Sequence, residues 1–160
     1  MKYIYHSTSE IHGLGVRAGE HIRKGSIITR FQGPAKFKIN KNKRDAMSHP
    51  NWVGIGKHTW IEPSRPQKFI NHSCEPSAGV RGLTVVALID IREGEEITID
   101  YSTIEGDIRW EMKCSCNSQG CRGVISSVES LTWEQFERIA HIPSYFRKLY
   151  LNSRGKRNEE

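Results

Sequence analysis

A chain of 160 residues, 36% of them apolar and with a mean hydropathy of −0.59, can bury one core without disulfide staples; this excludes a composition-driven disordered polymer. No run approaches the roughly 18–20 apolar residues of a membrane-spanning helix, and MKYIYHSTSE lacks a charged-then-apolar export pattern. The expectation is a cytoplasmic protein, nuclear in a eukaryotic host, with no membrane partner. The net charge of +6 is uneven: residues 1–80 carry 13 Lys or Arg against 5 Asp or Glu, and residues 81–160 carry 11 against 13.

In chain order, KYIYH (2–6) alternates, with Tyr3 and Tyr5 on one face, and predicts a strand. The glycines of IHGLG (11–15) read as a turn. SIITRF (26–31), HTWIE (58–62), TVVALI (84–89) and EEITIDY (95–101) are β-branched or aromatic-rich and predict further strands, with Gly25, Gly33, Gly82 and Gly94 as punctuation. KFKINKNKR (36–44) holds five cations and no acid. It reads as a solvated loop in preference to a nucleic-acid surface, since only Phe37 interleaves with the charges. From Glu93 to Glu111 seven carboxylates face only Arg109, either as a solvated edge or as a lure for a basic ligand.

Helix comes last. In SLTWEQFERIAHIPSYFRKLY, Thr132 and Gln135 have capping-box spacing and Leu131 with Phe136 has that of a hydrophobic staple. Trp133, Phe136 and Ile139 share one helical face and read as core. Pro143 ends this helix, a second short one starts near Ser144, and NSRGKRNEE reads as a frayed tail.

The chemistry concentrates in two places. FINHSCEPS (69–77) strings Asn71, His72, Ser73 and Cys74 directly after an apolar pair. Downstream, Cys114, Cys116 and Cys121 form C-x-C-x4-C around Gly120. A disulfide framework needs an oxidising setting that this chain does not announce, and buried free thiols do not account for three cysteines in eight residues. A tetrahedral zinc ion held by Cys74, Cys114, Cys116 and Cys121 accounts for all four; filled by thiolates, it is structural and closed. It also removes Cys74 as a nucleophile paired with His72. No phosphate-binding glycine loop, H-E-x-x-H motif or G-x-S-x-G elbow is present.

IHGLG (11–15), FQG (31–33), INHSCEP (70–76), GEEITIDY (94–101) and CSCNSQGCRG (114–123) occur in the order and approximate spacing of the SET-domain lysine methyltransferases that carry a cysteine-rich post-SET segment. The chain resembles that family over roughly residues 2–125. The resemblance implies a mainly β fold with minor α: small curved sheets, with the EITIDY strand threaded under the INHSC loop as a pseudoknot. It implies a SET domain at 1–102 with a variable insert at about 34–56, a post-SET zinc segment at 103–125, a helical extension at 126–152 and a flexible tail at 153–160. S-adenosylmethionine is then expected against Gly13, Leu14, Gly15, Asn71 and His72, the last largely through its backbone. A lysine of a protein substrate, a histone or another basic protein, enters from the opposite face past Phe31 and Ile99 to Tyr101.

Such a reaction is an in-line displacement, so alignment and electrostatics supply most of the rate. The lysine must be neutral to attack, which at pH 7 costs roughly 4.6 kcal/mol from a pKa of about 10.4. A neighbouring sulfonium and an apolar channel lower that cost. Tyr101 orients the amine and need not ionise. Asn71 suits the cofactor's amino-acid end because an amide both donates and accepts, and Ser73 braces the crossing. Four positions depart from the common family pattern: Phe31 for tyrosine, Lys68 for arginine, Ser77 for asparagine, and aliphatic Ile99 where many relatives carry an aromatic residue, which leaves room for di- or trimethylation. The competing reading is an inactive, zinc-stabilised SET-fold module that holds nucleic acid or a protein partner through 36–44.

Overall fold

The computed structural model describes residues 1–37, 51–56 and 59–157. Residues 38–44 of the cation run, and with them most of the proposed polyanion surface, lie outside the described residues.

Twelve short strands build the described part of the chain: β1 (Ile4–Thr8), β2 (Leu14–Ala18), β3 (Ile27–Arg30), β4 (Ala35–Phe37), β5 (Val53–Gly56), β6 (Thr59–Ile61), β7 (Asn71–His72), β8 (Ala78–Arg81), β9 (Thr84–Ala87), β10 (Glu96–Ile99), β11 (Glu111–Lys113) and β12 (Val124–Ser126). They form a four-stranded sheet in the order β1-β2-β10-β7, two three-stranded sheets, β3-β9-β8 and β4-β6-β5, and the hairpin β11-β12. The fold is mainly β with minor α. The alternation of KYIYH places Tyr3 and Tyr5 side by side, ring centroids 6.3 Å apart.

The IHGLG turn ends sooner than its glycines suggest. Leu14 already starts β2, which pairs antiparallel with β1 and, on its other edge, with β10. Gly15 lets Glu96 approach: a Cβ there would stand 2.2 Å from Glu96 Oε1 and force that carboxylate to shift. β10 also pairs in parallel with β7, Thr98 opposite Asn71 and Ile99 opposite His72. β10 therefore runs between the glycine strand and the strand of the INHSC segment. Ser77 completes this crossing: Thr98 N–H donates to its hydroxyl at 3.0 Å, and Ser77 N–H donates to Thr98 Oγ1 at 3.1 Å.

Val16, Ile28, Val80, Val85, Ile91, Ile97 and Ile99 form one core beneath the sheets. The β-branched runs were legible because each supplies inward residues to this core.

A second apolar cluster holds the C-terminal extension: Val128, Leu131, Phe136, Phe146 and Tyr150. The helix α1 (Trp133–Arg138) opens with the capping box of Thr132 and Gln135. Phe136 stacks on Tyr150 at 3.8 Å, but Trp133 is 49% exposed and only edges this cluster, so the expected three-residue core face shrinks to Phe136 and the half-buried Ile139. The helix α2 (Ser144–Arg157) runs past Asn152, which corrects the expected flexible tail for residues 153–157. Its end is anchored: the Arg154 guanidinium lies 5.1 Å over the Tyr150 ring and donates to the Leu131 carbonyl, and the Ser153 hydroxyl donates to the Tyr150 carbonyl at 2.8 Å. Among the described residues, no helix is long and apolar enough to cross a membrane.

Candidate active site and metal centre

A cavity of about 540 Å³ opens where β2, β7 and β10 meet the 3-10 turn Tyr101–Ile104. Gly13, Leu14, Phe31, Asn71, Ile99 and Tyr101 all line it. Its size is that of ordinary small-ligand sites. Phe31 and Ile99 are 2% and 1% exposed, giving the pocket a wall without hydroxyls.

Tyr101 is fixed at both ends. Its backbone N–H donates to His72 Nδ1 at 3.1 Å, and its phenol donates to the Ile70 carbonyl at 2.8 Å. Burial, assisted by the nearby Glu96 carboxylate, holds the phenol above its ordinary value. A neutral phenol that spends its proton on Ile70 keeps its oxygen lone pairs for whatever the cavity receives.

Asn71 is more committed than its sequence context suggests. Its two Nδ2 hydrogens are shared among four acceptors: the His12 and Leu14 carbonyls and Ser9 Oγ, each at 3.1 Å, and Glu96 Oε1 at 2.9 Å. Ser9 Oγ in turn donates to both Glu96 oxygens at 2.9 Å. The amide thus holds the glycine loop closed. All four of these contacts engage the nitrogen end of the amide, and the residue, 7% exposed, lines the cavity. Gly15 stands apart from the cavity lining: its task is to let Glu96 approach.

The acidic stretch is not one surface. Glu96 turns inward to Ser9 and Asn71, and Asp100 turns inward to Arg122. Glu105, 4% exposed, accepts the Gly106 and Asp107 N–H groups on Oε1 and caps its own turn. Exposed Glu93, Glu95 and Glu111 remain from the expected lure, and Glu95 also caps its own turn by accepting Arg92 N–H.

The cysteines converge next to this turn. The ligand atoms of His72, Cys74, Cys114 and Cys116 lie within 4.8 Å of one another. Cys74 Sγ and Cys114 Sγ are 3.8 Å apart, the edge expected of a tetrahedron with Zn–S bonds of about 2.3 Å. Cys121 stands outside that foursome but beside the Cys114 thiol. The loop is closed below by Cys114 N–H donating to the Gly123 carbonyl at 2.8 Å, and Asn117 takes a left-handed φ of 54° at its tip. Burial raises Cys114, reinforced by the surrounding sulfurs. Burial acts the same way on Cys116, but Cys74 N–H and Ser118 donate to it and bring it down to about 6.

His72 is settled by its partners. Since Tyr101 N–H donates to Nδ1, the ring proton sits on Nε2, which faces Cys74 Sγ at 3.3 Å as a donor. Burial, then Arg122, lowers its pKa to about 3, so the imidazole is neutral at physiological pH. With the backbone N–H and Nε of Arg122 also donating to Cys74 Sγ, at 3.3 and 3.4 Å, three donors point at one sulfur. These donors stabilise a thiolate, the form that binds metal, but burial outweighs them and holds the Cys74 thiol above its ordinary value. No sequence pattern announces Arg122, Asp100, Glu96 or Ser9 as parts of the site.

Residues 13–102 match the SET domain, more than half of the chain. The chain belongs to the SET-domain family. The histone-lysine N-methyltransferase TRX1 of Oryza sativa subsp. japonica is 30% identical to it over 140 residues, 76% of this chain and 14% of that protein. The histone H3-lysine(4) N-trimethyltransferase ATX1 of Arabidopsis thaliana is also 30% identical over 140 residues, 76% of this chain and 13% of that protein. This SET chain therefore spans about one seventh of the length of those relatives. A solved structure of KRYPTONITE in complex with mCHG DNA and SAH shares the fold with a TM-score of 0.59 at 21% identity, over 77% of this chain and 29% of that one.

Proposed function

We propose that this SET chain is a protein-lysine N-methyltransferase that uses S-adenosylmethionine and acts on a histone or another basic protein. The observation that carries the reading is the neutral Tyr101 phenol, committed as a donor to Ile70 and facing a cavity walled by Phe31 and Ile99. A lysine amine that donates to Tyr101 Oη has its lone pair turned into the cavity, and the apolar faces of Phe31 and Ile99 favour the neutral amine. When bound, S-adenosylmethionine supplies the electrophilic methyl group. Gly13, Leu14 and the backbone of His72 would border it, and the Asn71 amide oxygen, an acceptor at the cavity wall, suits its ammonium group. Gly15 would serve it indirectly, through Glu96.

Cys74, Cys114, Cys116 and Cys121 would hold zinc, with His72 as a hydrogen-bond donor to Cys74 and not a ligand; when bound, the ion cross-links the INHSC segment to the knuckle. We take residues 1–102 as the SET domain, 103–125 as the zinc segment and 126–152 as the helical extension. Ile99 beside Phe31 leaves space for more than one added methyl, in keeping with a relative named as a trimethyltransferase. With a histone as substrate, the nucleus of a eukaryotic host is the place of action.

The test is incubation with methyl-labelled S-adenosylmethionine and a lysine peptide library, followed by hydrolysis. Methyllysine in the hydrolysate is expected. Cofactor binding with no methyllysine on any peptide or histone would leave the inactive binding module as the better reading.

A further inference from the structure

Arg122 follows the last knuckle cysteine and is the residue that joins the two halves of the site. Besides its two bonds to Cys74 Sγ, its guanidinium donates through one terminal nitrogen to Asp100 Oδ1 at 2.6 Å and through the other to Ser102 Oγ at 3.4 Å. Both carboxylate and guanidinium are largely buried, their side chains 6% and 15% exposed. Burial opposes the charge on Arg122, and Asp100 and Cys74 restore it, so the cation persists.

Asp100 is also the residue that opens the turn carrying Tyr101. Its Oδ1 accepts Ser102 N–H at 3.0 Å, and its carbonyl accepts the Thr103 hydroxyl at 2.7 Å and Thr103 N–H at 3.1 Å. Tyr101 lies between residues whose side chains Arg122 grips directly. A planar fork can address a sulfur, a carboxylate and a hydroxyl at once; an ammonium on a flexible stem is a point charge and cannot reproduce that pattern.

We propose that Arg122 is a positioning residue: it latches the metal-bearing knuckle to the Asp100–Ser102 turn, so that the orientation of the Tyr101 phenol depends on the knuckle being in place. The proposal rests on the lysine methyltransferase reading for its effect on rate, and on geometry alone for its effect on Tyr101. If the pair served stability only, replacing it would change melting temperature and leave the working of the folded site untouched.

The test compares the zinc-loaded full chain with its Arg122→Lys and Asp100→Asn variants and the double variant. It reads zinc content, kcat, KM for both substrates and, in chains with 13C-labelled tyrosine, the Tyr101 ring signal, assigned with Tyr101→Phe. Arg122→Lys is expected to keep its zinc and both KM values within about twofold, to lose at least about tenfold in kcat, and to shift the Tyr101 signal. Asp100→Asn breaks the same latch from the other side, so the double variant should be no worse than the worse single one. An unmoved Tyr101 signal with unchanged kcat, a loss of activity that merely follows lost zinc, or additive losses in the double variant would each overturn the proposal. Should the unmodified protein transfer no methyl group, the methyltransferase reading fails, while the Tyr101 signal still decides the latch.

Discussion

The sheet region and the cysteine knuckle reach order by opposite means, although they share Cys74 and meet at Arg122. In β1-β2-β10-β7, long-range backbone pairing lies over a continuous apolar core of Val16, Ile97, Ile99 and their neighbours, most of them fully buried. In the knuckle, the strands β11 and β12 are three residues each, Met112 and Val124 are 39% and 52% exposed, Ile125 is the one buried strand residue, and the other ordering groups are sulfurs and one arginine. Hydrophobic burial sustains the first; the second buries little, and the proposed zinc ion would supply the cross-link that burial does not. On the proposed reading, a folded scaffold carries Tyr101, and the last constraint on that tyrosine comes from the cysteine knuckle through Arg122.

Metal removal is the strongest way to break this contrast. Structural zinc contributes on the order of 10 kcal/mol in small cysteine sites. A strong chelator should therefore expose the amides of residues 111–126 to hydrogen exchange while those of β2 and β10 stay protected. Simultaneous loss of protection in both would make the two regions one cooperative unit.

Gly15→Ala probes the sheet side alone. Its Cβ would meet Glu96 Oε1 at 2.2 Å, and Glu96 must give way, taking the Ser9 and Asn71 bonds with it. Calorimetry should record a roughly 10- to 100-fold loss of S-adenosylmethionine affinity, the worth of one or two hydrogen bonds at about 1.4 kcal/mol per decade, with zinc content unchanged. Undiminished affinity would detach the glycine loop from the cofactor.

The smallest expected effect is a flat one. Because burial and Glu96 hold the Tyr101 phenol above its ordinary value of about 10, it stays protonated as pH rises through that point. The rate of the intact protein should climb with lysine deprotonation, about tenfold per pH unit at first, and level off without a descending limb by pH 10. A fall in rate near pH 9–10 that Tyr101→Phe abolishes would place an ionising tyrosine in the reaction.

Five of the ten described strands outside the hairpin, β1, β3, β6, β9 and β10, were legible because runs such as TVVALI and EEITIDY satisfy local propensity and core demand together, whereas the three- and four-residue β4 and β5 and the two-residue β7 are too short to show a pattern. β2 and β8 were hidden: LGVRA and AGVR lean on small residues chosen for close approach, as at Gly15 against Glu96, and these resemble turns. The hairpin β11-β12 gave no alternation because it has almost no inner face. Cysteine count and spacing made the knuckle readable. The side chains that lock the site were not, because a carboxylate bound to a partner many residues away looks in sequence like one facing water. Glu96 with Asn71 and Asp100 with Arg122 are the two cases.

The central claim is that a neutral, doubly anchored Tyr101 aligns a lysine for methyl transfer. The direct measurement is kcat of Tyr101→Phe against the unmodified protein, with zinc content and cofactor affinity measured on the same samples. The expected result is a loss of at least about 100-fold in kcat, near 2.7 kcal/mol, with cofactor affinity and zinc retained. A Tyr101→Phe protein that methylates lysine at the unmodified rate would contradict the account.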